Sequence, residues 1–443
     1  MMGARRALFL LLWVGLCAPG AAGDTVVEIE ASADAFSGGQ PSPQGWLRIA
    51  PRLTQQLSPR LLFTAAPVLD ADSHGDVGRD PVYDDEDRSL SRAPLRFERL
   101  SLRFDLGAVK VEIGRQPLTW GRTDAVNATD NLTPRDWTDP LREVRLSPWA
   151  VRVNVERRRW EGELALVPRY APSRLPRFGG RWALIEPIRV ANPIFPAAGP
   201  PELEVELDFV EAEFPSTTLE NVQTGARFGR RGGRAEWAIS YYRGFDDTPH
   251  FDPSVAGPDP ATGTLRVALT PRFPRLEVVG ADGVFLAGAW ALRAEAGRFR
   301  FPEGLDDDFL LYEVDAEWAR GAWRLVAGYA DVSGDTRTGG LGTLAGSGGA
   351  GVAAADPVAL DLGFLPAAFV HLGRSLPTEW EASLEATVGT EEGDSLVRLS
   401  GSWPAKDGIR LGAEIDLLDG KTSSFFASWR NNDRLRVFTR VTY

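Results

Sequence analysis

Cysteine is almost missing from this chain: one residue, Cys17, among 443. No disulfide framework and no Cys-based metal site can hold it together. Methionine (two residues) and histidine (three: His74, His250 and His371) are nearly as scarce. None of the histidines falls in a His-x-Ser pattern or meets a Ser or Asp partner at strand spacing. The nucleophile–base pair of a hydrolase is therefore not expected, nor is a metal site built from histidine pairs. Positive charge is also in the minority, with 49 Lys and Arg against 61 Asp and Glu, a net charge of −12. That balance repels phosphate backbones and speaks against nucleic-acid binding. Beyond residue 23, no apolar run nears the ~20 residues that a transmembrane helix needs.

The beginning of the chain differs from the rest. Arg5 and Arg6 precede the apolar run "ALFLLLWVGL" and the small-residue stretch "CAPGAAGD". This order of basic, apolar and small segments reads as a secretory signal. Ala21 and Gly23 suit the −3 and −1 sites, so cleavage is expected before Asp24, with residues 1–23 as signal and 24–443 as one domain. Cys17 follows Leu16, where a lipidation site would place a small residue, so lipidation is disfavoured. Removing the signal takes away the cysteine, both methionines and two arginines, and leaves a more acidic chain.

What the sequence does contain is alternation with period two. In "TVVEIEASADAF", Val27, Ile29, Ala31, Ala33 and Ala35 share one face, opposite Glu28, Glu30, Ser32 and Asp34. In "EWEASLEATVG", Trp380, Ala382, Leu384, Ala386 and Val388 oppose Glu379, Glu381, Ser383 and Glu385. In "GIRLGAEIDLL", Ile409, Leu411, Ala413, Ile415 and Leu417 oppose Arg410, Glu414 and Asp416. In "RLRVFTRVTY", Leu435, Val437, Val441 and Tyr443 oppose Arg434, Arg436, Arg440 and Thr442. Such segments are strands with one face in an apolar medium and the other in water.

Short turns (57–60, 230–233, 319–322, 404–408) alternate with long irregular segments, at roughly 37–45, 70–95, 117–148, 171–217, 244–262 and 331–358. That rhythm predicts an all-β, antiparallel transmembrane β-barrel of about 16–18 strands, with short periplasmic turns and long extracellular loops. In lipid every backbone donor and acceptor must be paired, which leaves helices or closed barrels, and the sequence has no spanning helix. An even count keeps both ends on one side, with "SSFFASWRNND" as an outer loop or short helix. The two prolines within 263–281 argue against one central strand there. Trp46, Trp149, Trp160, Trp237, Trp318, Trp323 and Trp403 lie near strand ends, where an interfacial girdle would put them. The charged faces, Glu379, Glu381, Glu385, Arg410, Glu414, Arg434, Arg436 and Arg440, are expected to line the lumen.

One stretch breaks the alternation. "GRQPLTWGRTDAVNATDNLTPRDW" (Gly114 to Trp137) leaves the strand "VKVEI" as a polar, Trp-containing excursion. With "VPRYAPSRLPRFGGRW" (Val167 to Trp182) and the C-terminal "AKDGIRLGAEIDLLDGKTSSFFASWRNNDRLRVFTRVTY", it resembles a poorly characterised proteobacterial outer-membrane, porin-like family that carries a GRQ-x3-WG turn. The resemblance covers the second quarter and the last tenth of the chain, and it implies an outer-membrane barrel without naming a substrate. Two readings of the excursion stay open. In one, it folds inward as a channel constriction built from Arg115, Gln116, Trp120, Arg122, Asp124, Asp130, Asn131, Arg135 and Asp136. There Arg115, Arg122 and Arg135 would face Asp124, Asp130 and Asp136 across a transverse field. In the other, it is a solvated loop that covers the rim.

The acidic stretch Asp70–Ser89 begins like a calcium loop, but His74 occupies a ligand position and Pro81 stands where a bidentate acid belongs. A solvated outer loop is favoured, with divalent bridging to lipopolysaccharide left open. No cofactor, no metal and no catalytic residue is assigned. The expectation is a bacterial outer-membrane channel for passive or selective diffusion of small solutes. A structural or export barrel, an exit port for polymer or lipid, is the alternative. Expected contacts are outer-membrane lipid, lipopolysaccharide and the barrel-assembly machinery, which would read the terminal Tyr443; a homo-oligomer is allowed.

Overall fold

The computed structural model describes residues 23–443 except 39–42, 79–91, 143, 177–179, 184–187, 192–201, 211, 260–263, 305–307, 334–361, 376–378 and 422–423. The expected signal lies outside the described residues, apart from Gly23.

Eighteen strands form one antiparallel barrel. In chain order they are β1 (Gly23–Phe36), β2 (Gln44–Ser58), β3 (Leu61–Asp72), β4 (Leu95–Asp105), β5 (Val109–Arg115), β6 (Trp149–Arg157), β7 (Trp160–Val167), β8 (Gln223–Arg230) and β9 (Ala235–Phe245). They continue as β10 (Arg275–Ala287), β11 (Trp290–Arg300), β12 (Phe309–Arg320), β13 (Trp323–Ser333), β14 (Ala367–Ser375), β15 (Glu381–Gly389), β16 (Ser395–Lys406), β17 (Ile409–Asp419) and β18 (Arg434–Thr442). Each strand pairs with the next, and the ring closes where β1 meets β18, from Glu28↔Thr442 to Phe36↔Arg434. Closure removes the edges that an open sheet would expose to lipid.

The alternation sorts side chains as physical chemistry requires. On β17, Ile415 and Leu417 are exposed on the outer wall, while Asp416 between them is fully buried within. Ile239, Val279, Leu292, Val314, Leu399, Leu435 and Val437 join the same exposed outer belt. A belt of apolar side chains running round a closed barrel is a surface made for acyl chains.

The short turns, such as 59–60, 158–159, 288–289 and 321–322, all lie at one rim and the long connections at the other. At the short-turn rim stand Trp160, Trp237, Trp290, Trp323 and Trp380, all exposed, with Trp403 stacked on Trp380 at 5.6 Å. Trp318 is paired with Trp290 there. Trp149 begins β6 at the opposite rim. Trp46 departs from the girdle expectation: it is buried inside, with the Arg142 guanidinium 3.7 Å over its ring.

The stretch 263–281 divides at its prolines. Thr264–Arg272 joins Ile188–Ala191, Glu202–Phe209 and His250–Asp259 in a separate four-stranded sheet formed by the long connections, and β10 starts only at Arg275. "SSFFASWRNND" contains a 3-10 turn, Phe426–Trp429.

Candidate channel constriction

The motif "GRQPLTWG" works as a hinge. Gly114 has φ +129, and a Cβ there would sit 2.2 Å from the Leu100 carbonyl oxygen; Gly121 has φ +91, with Glu295 Oε2 2.7 Å from where its Cβ would be. Side-chain-bearing residues rarely adopt this backbone region, so glycine ends β5 and turns the chain under the wall. Between the glycines, the Arg115 Nε donates to the Ser147 carbonyl at 3.1 Å. The Gln116 Nε2 donates to the carbonyls of Glu112 and Ala150 at 3.2 and 3.3 Å. Arg115 and Gln116 are buried. They anchor the segment to the wall and do not line a bore, which corrects that part of the expectation.

From this hinge, residues 116–148 fold into the barrel and meet its wall on two sides. Along β7 to β13, the Trp120 indole donates to Glu163 at 2.9 Å. The Arg122 backbone N–H donates to Glu295 at 2.8 Å, while its guanidinium binds Asp282 at 2.6 Å and Glu236 at 2.8 Å. The N–H groups of Asp124, Ala125 and Val126 all donate to the Glu313 carboxylate, at 3.0, 3.1 and 2.5 Å. Thr129 gives Glu295 both its N–H (2.8 Å) and its hydroxyl (2.9 Å). Asp124 pairs with Arg293 and Arg324, both at 3.1 Å.

Further along, the segment reaches the other side. The Leu141 carbonyl accepts from Arg398 of β16 at 2.8 Å. Asp139 pairs with Arg434 of β18 at 2.9 Å, and Arg142 with Glu30 of β1 at 3.3 Å. The segment therefore crosses the lumen. Leu118, Trp120, Val126, Ala128 and Leu132 pack with wall residues Phe299, Phe309 and Leu311 as an apolar core inside the barrel.

The expected pairing of charges within the segment is not what the structure holds. Arg122 and Asp124 turn to the wall, as above. Asp130 is held by Arg145 and by the Trp120 N–H at 3.2 Å. Asp136 is buried between Arg92 (2.8 Å) and Arg174 (3.3 Å). Arg135 lies 5.7 Å over Trp137, and Asn131 donates to the Ala128 carbonyl at 3.1 Å. Arg122 and Asp124 are thus paired with the wall, Asp130 with Arg145 of the same segment, and Asp136 with arginines of two other connections.

Burial sets the titration of these groups. Burial raises the Asp130 carboxyl, and Arg145 and Arg135 do not fully reverse it. Burial would also raise Asp136, but Arg92, Arg174 and the Thr138 hydroxyl overcome it and hold the carboxyl well below the usual range. Asp139 is likewise lowered, burial being outweighed by Arg434 and Arg142.

The expected lumen-lining residues divide into two groups. Glu381, Glu385, Arg410, Glu414 and Arg440 project inward from β15, β17 and β18; Arg410 meets Glu381 at 3.4 Å, and Arg440 meets Glu30 at 2.8 Å. Arg434 and Arg436 also turn inward but are buried: Arg434 under Asp139, Asp416 and Glu414, and Arg436 against Glu30 at 2.5 Å. Glu379 is not on a strand; it sits in the turn before β15 with φ 59, its carbonyl accepting from Arg410 at 3.1 Å.

Residues that sequence reasoning did not single out bear most of the contact: Glu295, Glu313, Asp282, Arg293, Arg324, Arg92 and Arg174. For Arg293, Glu295 and Glu313 the signal was the inward half of the alternation in "RAEAGRFR" and "LLYEVDAEW"; Arg92 and Arg174 lie in the connections, where no alternation marks them.

At the start of the acidic stretch, Asp72, His74 and Asp76 bring ligand atoms within 4.8 Å of one another. Internal bonds account for the cluster. Both Asp72 oxygens accept backbone N–H groups, from Gly75 and Val77 at 2.8 Å. Burial pulls the His74 ring towards neutrality, but Asp76 and Asp72 outweigh it and raise its pKa. Residues 79–89 of that stretch lie outside the described residues.

No protein-family model and no curated protein matches the chain. Solved structures are similar along nearly the whole of its length, among them the following two. Pseudomonas aeruginosa OccK3 (OpdO) has a TM-score of 0.51 at 10% identity, covering 95% of this chain and 96% of its own. Acinetobacter baumannii OccAB4 has a TM-score of 0.52 at 10% identity, covering 96% of this chain and 100% of its own. At that identity the likeness is one of fold, and the fold is that of an outer-membrane, porin-like β-barrel.

Proposed function

We propose that the chain is a bacterial outer-membrane channel through which small solutes diffuse, with residues 116–148 forming its constriction, and that it belongs to the porin-like family with the GRQ-x3-WG turn. The observation that carries this is the docking of one segment on both sides of the lumen, at Glu295 and Glu313 and again at Arg398 and Arg434. A barrel of 18 strands is too wide for side chains alone to fill. An inserted segment narrows it to solute size and lines it with oriented charge. A lumen crossed in this way suits small solutes rather than a polymer. The reading is of a channel, with no catalytic residue assigned; against the sequence expectation, the histidines do have acidic partners, Asp76 for His74, Asp246 for His250 at 3.0 Å and Glu385 for His371 at 3.8 Å. In the same proposal, lipid and lipopolysaccharide surround the wall, the barrel-assembly machinery reads Tyr443, and copies of the chain are free to associate. Planar-bilayer recording tests it. Purified protein should give discrete steps, and deleting 120–136 should enlarge them; steps of unchanged size would reject the constriction, and no steps at all would reject the channel.

A further inference from the structure

We propose that the cavity between the crossing segment and the 424–432 connection binds a small, uncharged aromatic solute that carries a hydrogen-bond acceptor. The assignment deepens the channel reading and rests on it only for how the solute arrives. The cavity measures about 170 Å³. An apolar protein cavity of ~150 Å³ is known to admit benzene, so one ring with a short substituent fits. Leu311, Thr387 and Leu396 contribute from the long-loop ends of β12, β15 and β16, and Val126 and Asn127 from the segment. A solute entering from outside meets this place before the zone of paired charges.

The lining sets the class of ligand. Trp137, Phe364, Phe425, Phe426 and Trp429 form much of the wall. They brace one another, with Phe425 at 5.3 Å from Phe426 and 5.0 Å from Trp429, both edge-on, and Phe364 at 6.0 Å from Phe426. A flat ring entering the cavity finds ring edges and faces already fixed for aromatic contact. The second observation is polar. Trp429 is 3% exposed, and its indole N–H has no acceptor among the described residues. A buried donor without an acceptor is costly, and a solute carbonyl or ether oxygen supplies one. Charge is disfavoured. Arg135 lines the cavity and repels a cation. Its own charge is already countered by Asp130, which with Asp246 and Asp247 lines a smaller neighbouring cavity of about 70 Å³ that shares Arg135 and Trp137. An anion therefore gains little for leaving water for a mostly apolar lining.

Acetophenone titrated into the purified full chain in detergent, followed by saturation-transfer NMR, tests the proposal. Saturable binding is expected, with cyclohexyl methyl ketone, which keeps the acceptor and loses the ring, binding more weakly. Trp429→Phe keeps a ring and removes the N–H, and should weaken binding about fivefold, the worth of one hydrogen bond. Leu396→Trp fills the cavity and should abolish binding; Leu396→Phe replaces it if heat-modifiable gel mobility shows that the barrel has not formed. Equal signals from wild type and the filled variant, meaning uptake by the micelle alone, would overturn the site. So would binding that emerges only once residues 334–361 are deleted, which would make the chain's own segment the occupant. Binding is read without flux, so its failure leaves the channel reading standing, and an electrically silent barrel leaves the site standing.

Discussion

Glu295 and Glu313 stand opposite each other on β11 and β12, and together their carboxylates accept from Arg122, Asp124, Ala125, Val126 and Thr129 of the crossing segment. The segment has no strand partner along this stretch, so wall carboxylates replace a sheet neighbour for its backbone donors. Glu313→Ala leaves three N–H groups unpaired in a covered place, a cost of about 3 kcal/mol or more to docking. Glu313→Gln keeps one acceptor oxygen and should cost roughly 1 kcal/mol. The expected result in planar bilayers is noisy, enlarged steps for the alanine variant and near-normal steps for the glutamine variant. Equal, unchanged steps for both would mean that the clasp does not hold the segment.

The Arg92–Asp136–Arg174 group should fix how the segment responds to acid. The folded-state pKa of Asp136 is depressed, so its contribution is full above the ordinary aspartate value of about 3.9 and is lost as pH falls towards the folded value. Asp130 is raised, so it opposes folding while ionised, and the opposition fades as pH falls through its folded pKa. Asp136→Asn should therefore destabilise at neutral pH by about 3 kcal/mol, leaving two buried arginines short of a carboxylate. It should also flatten the loss of stability below pH about 4. Asp130→Asn, which keeps an oxygen for the Trp120 N–H, should be neutral or stabilising. Thermal unfolding in detergent across a pH series checks both; an Asp136→Asn variant with the wild-type acid profile would contradict the assignment.

The wall was legible in the sequence because lipid and water act on opposite sides of every strand, so Ile415–Asp416–Leu417 states its own orientation. An even strand count, within the expected 16–18, followed from the need to bring both ends to one rim, and Pro274 falls in the break between Thr264–Arg272 and β10. The destination of 116–148 was not legible. Its partners lie 166 residues away for Thr129 and Glu295, and 189 for Asp124 and Glu313, and no local pattern encodes such pairings. Charges within the segment looked complementary to each other, whereas the folded lumen offered Asp282, Arg293 and Arg92 at closer range. Gly114 and Gly121 carried the missing information, since two glycines seven residues apart mark the places where the backbone must turn inward.

Ion preference should follow exposure rather than the count of charges. Arg434 and Arg436 are spent on Asp139, Asp416 and Glu30, with side chains no more than 7% exposed. Glu381 and Glu385 remain 60% and 43% exposed. A mild cation preference is the expected outcome, read as a reversal potential under a potassium chloride gradient. Neutralising both glutamates should move the permeability ratio towards unity. Arg434→Met should instead lower stability, because it strands buried carboxylates. Anion preference in the wild-type protein would show that other inward arginines dominate the path.

Tyr443 is 77% exposed, while its backbone N–H and carbonyl bond Val27 across the closing seam at 3.0 and 3.1 Å. Those two backbone bonds do not depend on the side chain, so Tyr443→Ala should cost the finished barrel no more than about 1 kcal/mol. If the ring serves as a signal read during assembly, the same variant should refold normally from urea into detergent yet reach the outer membrane poorly in cells. Deleting residue 443 altogether should harm both, since it also removes the seam bonds. Side-by-side measurement of refolding yield and membrane-inserted yield separates the roles. Equal loss of both yields in Tyr443→Ala would make the ring a structural part of the seam, and no loss of either would remove it from assembly.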